Sequence, residues 1–577
     1  MSDGVHLGRD DVPWLASLLL AGCLTLGLFA LIACRLTDGQ GGVPLDDAWI
    51  HFQFARNLAR GDGLSFNPGQ PTSGSTAPLW TLLLAGVYLA GGEFPIAGQV
   101  LSGACFLAAL ASTYAMGVQL TGKRWAGWLA GMVVAANGRM VWAGLSALET
   151  CLFAALSLLA IGAHVSDRPA GRYRLRTAAL FGLAALTRPE GYLLFALSLA
   201  DFVWGSRHRS GRQSHRPERA GAGSESTRPH GSRTTKHAPR NTHHATRFTH
   251  HVLRITYYVL RSILLPAVLF AAIVLPYLIF SLRTSGHLLP NTYHAKAVVS
   301  LLPDRDFLSV AARYLILDNP LLLPFYVLGV GVLLCPALSG STTLSLSKEP
   351  APSLSRGHAS LLSLWSVGLP LVYACLHAVL YQHGRYLIPL IPCNAVVGVV
   401  GLLVARRLAA RRWTLTPALS LGGRGGRGLA VLVGVLVVAG TGWRLPAMAC
   451  LYAWNVDNVN EMHVALGRWV AEHTPPDAVL ALNDIGAIAY VSERPVVDLA
   501  GLVTPEVVPL LHAPDRDARL ADLMAERGVQ YVVIFPDWFP GLAARTDVLE
   551  PVYQVTLERN TIAGGETMVV YRAHWRR

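Results

Sequence analysis

From Val12 to Cys34 the chain carries no charged residue. That run is longer than the core of a signal peptide and long enough to cross about 30 Å of hydrocarbon, so it reads as a retained first span. Further apolar runs recur as far as Cys450. In a bilayer core every backbone N–H and C=O must find a partner, and long runs without alternation select helices over a barrel. Composition agrees: 52% of residues are hydrophobic and 14% charged, where a soluble protein has about a quarter charged. These features predict an all-α polytopic membrane domain over residues 1–450 and a small α/β domain over 451–577.

A formal charge of +13 would suit a nucleic-acid binder, but its placement does not. Most Lys and Arg lie in short loops between apolar runs, as the positive-inside rule requires, and no aromatics are interleaved with them for base stacking. No nucleic-acid partner is expected. The eight Cys all lie in or beside apolar segments and none forms a CxxC pair. They read as small apolar fillers rather than disulfides or metal ligands.

Loop charge also sets the expected topology. Pro78 to Ala90 is a short apolar stretch closed by Gly91, Gly92 and Pro95. If it spans, the basic loops Lys123–Arg124, Arg168–Arg176 and Gly205–Arg254 face outward. If it is re-entrant or interfacial, they face the cytoplasm, with those at Lys348–Arg356 and Arg406–Arg427. The second arrangement places roughly 25 basic residues inside against about ten outside and is preferred. It gives about eleven spans, near 12–34, 97–118, 125–141, 148–165, 177–187, 190–204, 255–281, 320–338, 360–380, 386–405 and 429–450. The amino terminus is then cytoplasmic and the carboxyl-terminal domain extracytoplasmic, in a multi-pass cell-membrane protein. The short fifth and sixth spans meet at Thr187-Arg188-Pro189-Glu190, where charges are tolerable only against a protein-lined polar cavity. Two hydrophilic stretches, 205–251 and 406–428, lack the aliphatics for a core and read as disordered cytoplasmic insertions. After Leu451, strand-like runs at Ala478–Leu482, Val496–Leu499, Tyr531–Phe535 and Met568–Tyr571 alternate with helical stretches at Asn460–Glu472 and Arg516–Arg527.

The residues that break the apolar pattern collect on the outer side. In the first outer loop Asp46 and Asp47 stand where a helix would begin, a position that also suits plain N-capping carboxylates. They open the series Asp46-Asp47, Ala55-Arg56-Asn57-Leu58, Gly61-Asp62-Gly63-Leu64, Asn67-Pro68-Gly69, Ser75 and Leu79-Trp80. This series resembles the first loop of GT-C superfamily glycosyltransferases. It is particularly similar to the branch with the mycobacterial arabinofuranosyltransferases and related mannosyltransferase-like proteins. Ser146-Ala147-Leu148-Glu149-Thr150 looks like that branch's SGLET element, with Ala147 in place of Gly. Leu186-Thr187-Arg188-Pro189-Glu190-Gly191, Leu289-Pro290-Asn291-Thr292-Tyr293-His294-Ala295-Lys296 and Gly384-Arg385-Tyr386-Leu387-Ile388-Pro389 resemble LTRPEG, LPNTYYAK and GRYLLP. Asp484 to Tyr490 and Asp498 to Leu502 continue the match, which covers most of the chain outside the two insertions.

The resemblance implies inverting transfer of a sugar from a polyprenyl-phosphate donor to a hydroxyl of a glycan, lipid or protein on the outer face. Such a reaction needs a base at the hydroxyl and cations at the departing phosphate. By resemblance Asp46 is the base, with Asp47 orienting it and Glu149 as a further catalytic carboxylate. Arg188, Lys296 and Arg385 are cations at outer span edges and candidate phosphate partners, although single cations there also serve as interface anchors. Arg56, Glu190, Asn291, His294, His383 and Tyr386 complete the candidate substrate-binding set. No cofactor is required by this chemistry. A divalent cation is a candidate, but Asp46 and Asp47 alone are too few ligands for one. The competing reading is a transporter or flippase of lipid-linked sugars, which also places charges in broken helices. It does not call for paired outer carboxylates or an outer domain.

Overall fold

The computed structural model describes residues 8–168, 173–213, 263–296, 300, 302–334, 360–376, 382–412 and 424–575. The helices of its first half are α1 (Val12–Leu36), α2 (Asp47–Arg60), α3 (Pro78–Leu89), α4 (Ile96–Thr121), α5 (Arg124–Ala135), α6 (Gly138–Gly144), α7 (Thr150–Asp167), α8 (Leu175–Thr187) and α9 (Glu190–Gln213). There follow α10 (Leu265–Ser285), α11 (Asn291–Lys296), α12 (Arg305–Asp318), α13 (Leu323–Leu334) and α14 (Ser360–Cys375). A 3-10 turn over Gln382–Leu390 leads into α15 (Ile391–Arg412), and α16 (Arg424–Gly442), α17 (Leu445–Asn458) and α18 (Ala465–His473) close the helical part.

α1 shows how the sequence divides its faces. Pro13 sits in its first turn, where a missing N–H costs nothing, and the Thr37 hydroxyl closes its end by donating to Ala33 O. Leu18, Gly22, Phe29 and Ala33 are buried, a stripe at helical spacing. Gly22 admits the side chains of Leu107 and Leu110 so closely that an added Cβ would lie 2.6 Å from Leu110, the small-residue contact by which membrane helices pack. Leu20, Leu24 and Leu31 on the other face are more than half exposed, as are Val431 and Val435 on α16. These rows suit acyl chains as solvent.

The expected count of eleven spans is not reproduced. Among the described residues six helices are long and apolar enough to cross a membrane, or seven if α12 and α13, bent by 112°, count as one. Helices α3, α8 and α14 are apolar but shorter. The physical reason is that polar residues break the apolar runs. Asn137 splits the expected 125–141 span into α5 and α6, its carboxamide oxygen accepting from the N–H groups of Arg139 and Met140. Asn319 divides α12 from α13 and bonds Leu322 N and Val437 O. Pro189 ends α8, because the residue before a proline is driven out of the helical region. α3 is a 12-residue helix, about 18 Å long and too short to span, as expected for Pro78–Ala90. The two insertions begin later than anticipated: residues 205–213 and 406–412 continue α9 and α15, and 424–428 already belong to α16. The rest of those stretches, 214–251 and 413–423, lies outside the described residues, as does the Lys348–Arg356 loop.

Beyond the last span, α16 to α18 form one helical rod from Val431 to His473. By residue 463 that rod is about 48 Å from Val431, more than a hydrocarbon core requires. It carries a five-stranded sheet in the order β2-β1-β3-β5-β4, made of β1 (Leu480–Leu482), β2 (Val496–Asp498), β3 (Tyr531–Ile534), β4 (Leu549–Thr556) and β5 (Thr567–Ala573). β1 is parallel to both β2 and β3, while β5 runs antiparallel to β3 and β4. Helices α19 (Gly486–Ser492), α20 (Arg516–Glu526) and α21 (Pro540–Ala543) connect the strands. Four strands fall on the expected runs. β4 does not: it is an edge strand, exposed from Glu550 to Gln554 and bulged near Pro551, so it lacks alternation. One sheet face shares its core with the segment that follows α1, since Phe54 and Phe66 pack in the same cluster as Met462, Leu466, Leu480 and Val533.

Candidate active site

α2 is where the segment between α1 and α3 meets the other elements. Asp47, in its first turn, and His51, one turn later, share a face. Both meet the broken helices. Asp47 Oδ2 lies 2.5 Å from Arg385 Nη1. His51 Nε2 lies 3.6 Å from Glu149 Oε2, and the other Glu149 oxygen accepts from Arg188 Nη1 at 3.1 Å. Arg188 Nη2 donates to Glu190 Oε1 at 2.9 Å, which also accepts from the Tyr373 hydroxyl. The Arg385 and Arg188 guanidiniums lie 5.2 and 5.5 Å from the Tyr386 ring centre. Asp47, His51, Glu149, Arg188, Glu190, Tyr373, Arg385 and Tyr386 are thus one network drawn from α2, α7, the α8–α9 break, α14 and the 382–390 turn.

Local backbone geometry aims each member. Gln382, His383 and Gly384 have φ of 56°, 61° and 63°, a left-handed run unfavourable for the two non-glycine residues. Arg139 holds this run by donating to the carbonyls of His383 and Gly384 at 2.8 and 2.9 Å while pairing with Asp318 at 2.7 Å. At Gly384 an added Cβ would lie 2.7 Å from the Tyr314 ring, so glycine alone fits and the turn delivers Arg385 inward. Ala147, where the resembling element has glycine, also has positive φ, 56°; its carbonyl accepts from Trp80 Nε1 at 3.1 Å. This turn sets Glu149 at the N-cap of α7. Arg188 takes the extended conformation that Pro189 imposes.

Charge balance within the network is close. The Asp47, Glu149 and Glu190 carboxylates face the Arg188 and Arg385 guanidiniums. Burial pushes the His51 imidazole below its ordinary value, against the pull of Glu149 and Asp47. Its Nδ1 is buried with no hydrogen-bond partner.

The other candidates lie elsewhere. Both Asp46 oxygens are engaged, accepting from Gly486 N at 2.8 Å and Ala487 N at 2.7 Å. Burial, countered by His463 and reinforced by Asp484, pushes the Asp46 carboxyl up to about 6. Arg56 pairs with Glu493 at 2.7 Å, donates to Tyr490 O and lies over the Tyr490 ring, a contact with the outer domain. His383 Nε2 is 2.8 Å from Asn455 Oδ1. Asn291 is buried with its Nδ2 unpartnered, and the His294 ring is 4.2 Å from that of His287. Lys296 closes α11, and its side chain lies outside the described residues. Sequence reasoning did not single out His51, Tyr373 or Arg139. His51 could have been found from its spacing of four from Asp47. Among the described residues no three His, Cys, Asp or Glu side chains converge as metal ligands. Asp46 and Asp47 diverge, one toward the outer domain and one toward Arg385.

Known structures share this architecture. ArnT from Cupriavidus metallidurans bound to undecaprenyl phosphate superposes with TM-score 0.53 at 13% identity, over 95% of this chain and 97% of that one. Its apo state gives 0.50 at 14% identity with the same coverage. This chain has the GT-C fold. Arabinofuranosyltransferase AftD from Mycobacteria also shares it, with TM-score 0.50 at 15% identity over all of this chain but 40% of AftD. In sequence, a family described as Domain of unknown function (DUF8728) matches residues 454–575, which is the far end of the helical rod plus the sheet. No curated protein matches the sequence. In this GT-C fold the ionic network lies at one end of α7, and a second buried group, Asp167 with Arg174 and Thr177, lies at the other. The 18 residues of α7 separate the two by about 27 Å, close to a hydrocarbon thickness.

Proposed function

We propose that the protein is a lipid-phosphate-sugar-dependent glycosyltransferase whose centre is the network around Asp47 and Arg385. The supporting observation is a buried guanidinium, Arg385, paired with a partly exposed carboxylate, Asp47, at one end of the membrane helices. The ArnT likeness, a fold solved with undecaprenyl phosphate bound, adds support. The donor phosphate takes the Arg385 donors, with Arg188 contributing positive charge nearby; Lys296 is a further candidate phosphate partner from the sequence. Losing its ion-pair partner makes Asp47 a stronger base. Asp46, with both oxygens engaged, holds the start of α2. The acceptor hydroxyl gives its proton to Asp47 as its oxygen bonds to C1 of the sugar. The C1–O bond to phosphate breaks on the opposite face, its electron pair leaving on the phosphate, so configuration inverts. Glu149 and Glu190 hold Arg188. Tyr386, against both guanidiniums, flanks the phosphate; Asn291, His294 and His383 lie outside the network and are left as candidate contacts for the sugar.

A panel of polyprenyl-phosphate sugars incubated with purified protein tests this directly. At least one should yield free polyprenyl phosphate and a glycosylated acceptor, with the anomeric configuration inverted. Transport of intact donor across proteoliposomes without phosphate release would instead favour a flippase.

The network belongs on the outer face, since the opposite end of α7 adjoins the basic segment Arg174–Arg176. Single-cysteine variants should therefore label from outside intact cells at Asp62 and Pro514, and at Arg176 only after permeabilisation. Labelling of position 176 from outside would reverse the orientation and place the site in the cytoplasm.

A further inference from the structure

The outer domain and the ionic network meet at two adjacent residues. Asp47 faces Arg385, while Asp46 turns the other way and receives the first two N–H groups of α19. The contact leaves no slack. A Cβ added at Gly486 would lie 2.1 Å from Asp46 O and 2.6 Å from Asp46 Oδ1. Behind it, His463 is 1% exposed on the helical rod from the last span, and its Nε2 lies 3.0 Å from Asp484 Oδ2. Against the downward pull of its burial, Asp46 and Asp484 together draw the His463 imidazole above its ordinary value. Asn67 adds a reciprocal pair, its side chain bonding Val496 O and Val496 N at 2.9 Å each.

We infer that Asp46, His463, Asp484 and Gly486 form a latch through which the outer domain positions the catalytic edge of α2. They are positioning residues for Asp47. The inference rests on the reading of Asp47 and Arg385 as the reacting centre. The rod joins His463 to the last span, and the latch joins it to Asp46, the N-cap of α2. The N-terminal turn of α2 is therefore fixed relative to the helices that carry Arg385, Glu149 and Arg188. A general base must sit within hydrogen-bond reach of its proton, and a displacement of 1 Å can cost on the order of 10²-fold in rate.

The test compares full-length His463→Gln, Asp484→Asn and Gly486→Ala with wild type, and with Arg494→Ala as control. Among the described residues Arg494 bonds within the outer domain and its supporting helix, to Ala471 O, Thr474 O and Oγ1, and Ser492 O, so its loss loosens that domain without touching α2. The latch variants should lower kcat about tenfold or more, leave the donor KM within about threefold, and speed hydrogen–deuterium exchange over residues 47–60. Arg494→Ala should lower thermal stability while keeping kcat. Asp484→Asn retains an acceptor for His463 and serves if His463→Gln does not fold. Unchanged exchange over 47–60 in the latch variants overturns the inference, as does an equal loss of kcat in Arg494→Ala. If wild-type protein transfers no sugar from any donor, the glycosyltransferase reading fails, and the exchange measurement alone still decides on the latch.

Discussion

Asp47→Asn should lower sugar transfer by about two to four orders of magnitude, the usual cost of removing a general base, while donor binding survives or tightens. Asparagine keeps the size of the side chain but cannot take the acceptor's proton, and it no longer competes with the donor phosphate for Arg385. Arg385→Ala should behave in the opposite way, with donor affinity falling, because the phosphate is charged before the reaction starts. Single-turnover rates and donor binding, measured separately, distinguish the two. An Asp47→Asn enzyme with near-normal turnover would move the base to another carboxylate, Glu149 first, since it adjoins the same His51.

The second large effect is on stability. Arg188→Ala leaves Glu149 and Glu190 facing each other across an apolar interior, with side-chain exposures of 11% and 12%. Breaking a buried pair from one side typically costs about 3–5 kcal/mol. The variant should therefore unfold well below wild type in a detergent thermal-shift measurement, or fail to accumulate in the membrane. Arg188→Met combined with Glu149→Gln and Glu190→Gln removes the charges together and should regain most of that stability without regaining transfer. If Arg188→Ala alone is as stable as wild type, the carboxylates do not depend on it, and the network is not an ionic unit.

Much of the membrane fold was legible in the chain, because hydrocarbon leaves a helix few alternatives. Runs such as Val12–Cys34 declare themselves. So do the charges at Glu149, Arg188 and Arg385, since an ionisable residue beside an apolar run is too costly to be there without a partner. The six or seven candidates among the described residues fall short of the eleven expected spans where a hydropathy pattern cannot show direction. Asn137, Asn319 and Pro189 interrupt the backbone without much lowering local hydropathy, so half-helices look like spans. The sheet was readable from β-branched runs except at β4, whose exposed face carries no alternating signal.

The site divides differently. Loop charge led the sequence reading to expect Asp46, Asp47, Glu149, Arg188 and Arg385 on one side of the membrane, since each stands where an apolar run ends. It did not say which residues touch. Successive residues on a helix point about 100° apart, so Asp46 and Asp47 had to part company. Which of them would face Arg385 depended on how the outer domain docks. Arg56 was drawn out of the candidate site for the same reason, since its partners Tyr490 and Glu493 lie more than 430 residues away. His51 entered it because Asp47 and His51 share a helix face, and α7 brings Glu149 up to that face. The chain alone determined the apolar runs that a bilayer suits and the kinds of charge available. Only the tertiary structure decided their pairing, because a pair is set by the packing of α2 between the outer domain and the broken helices.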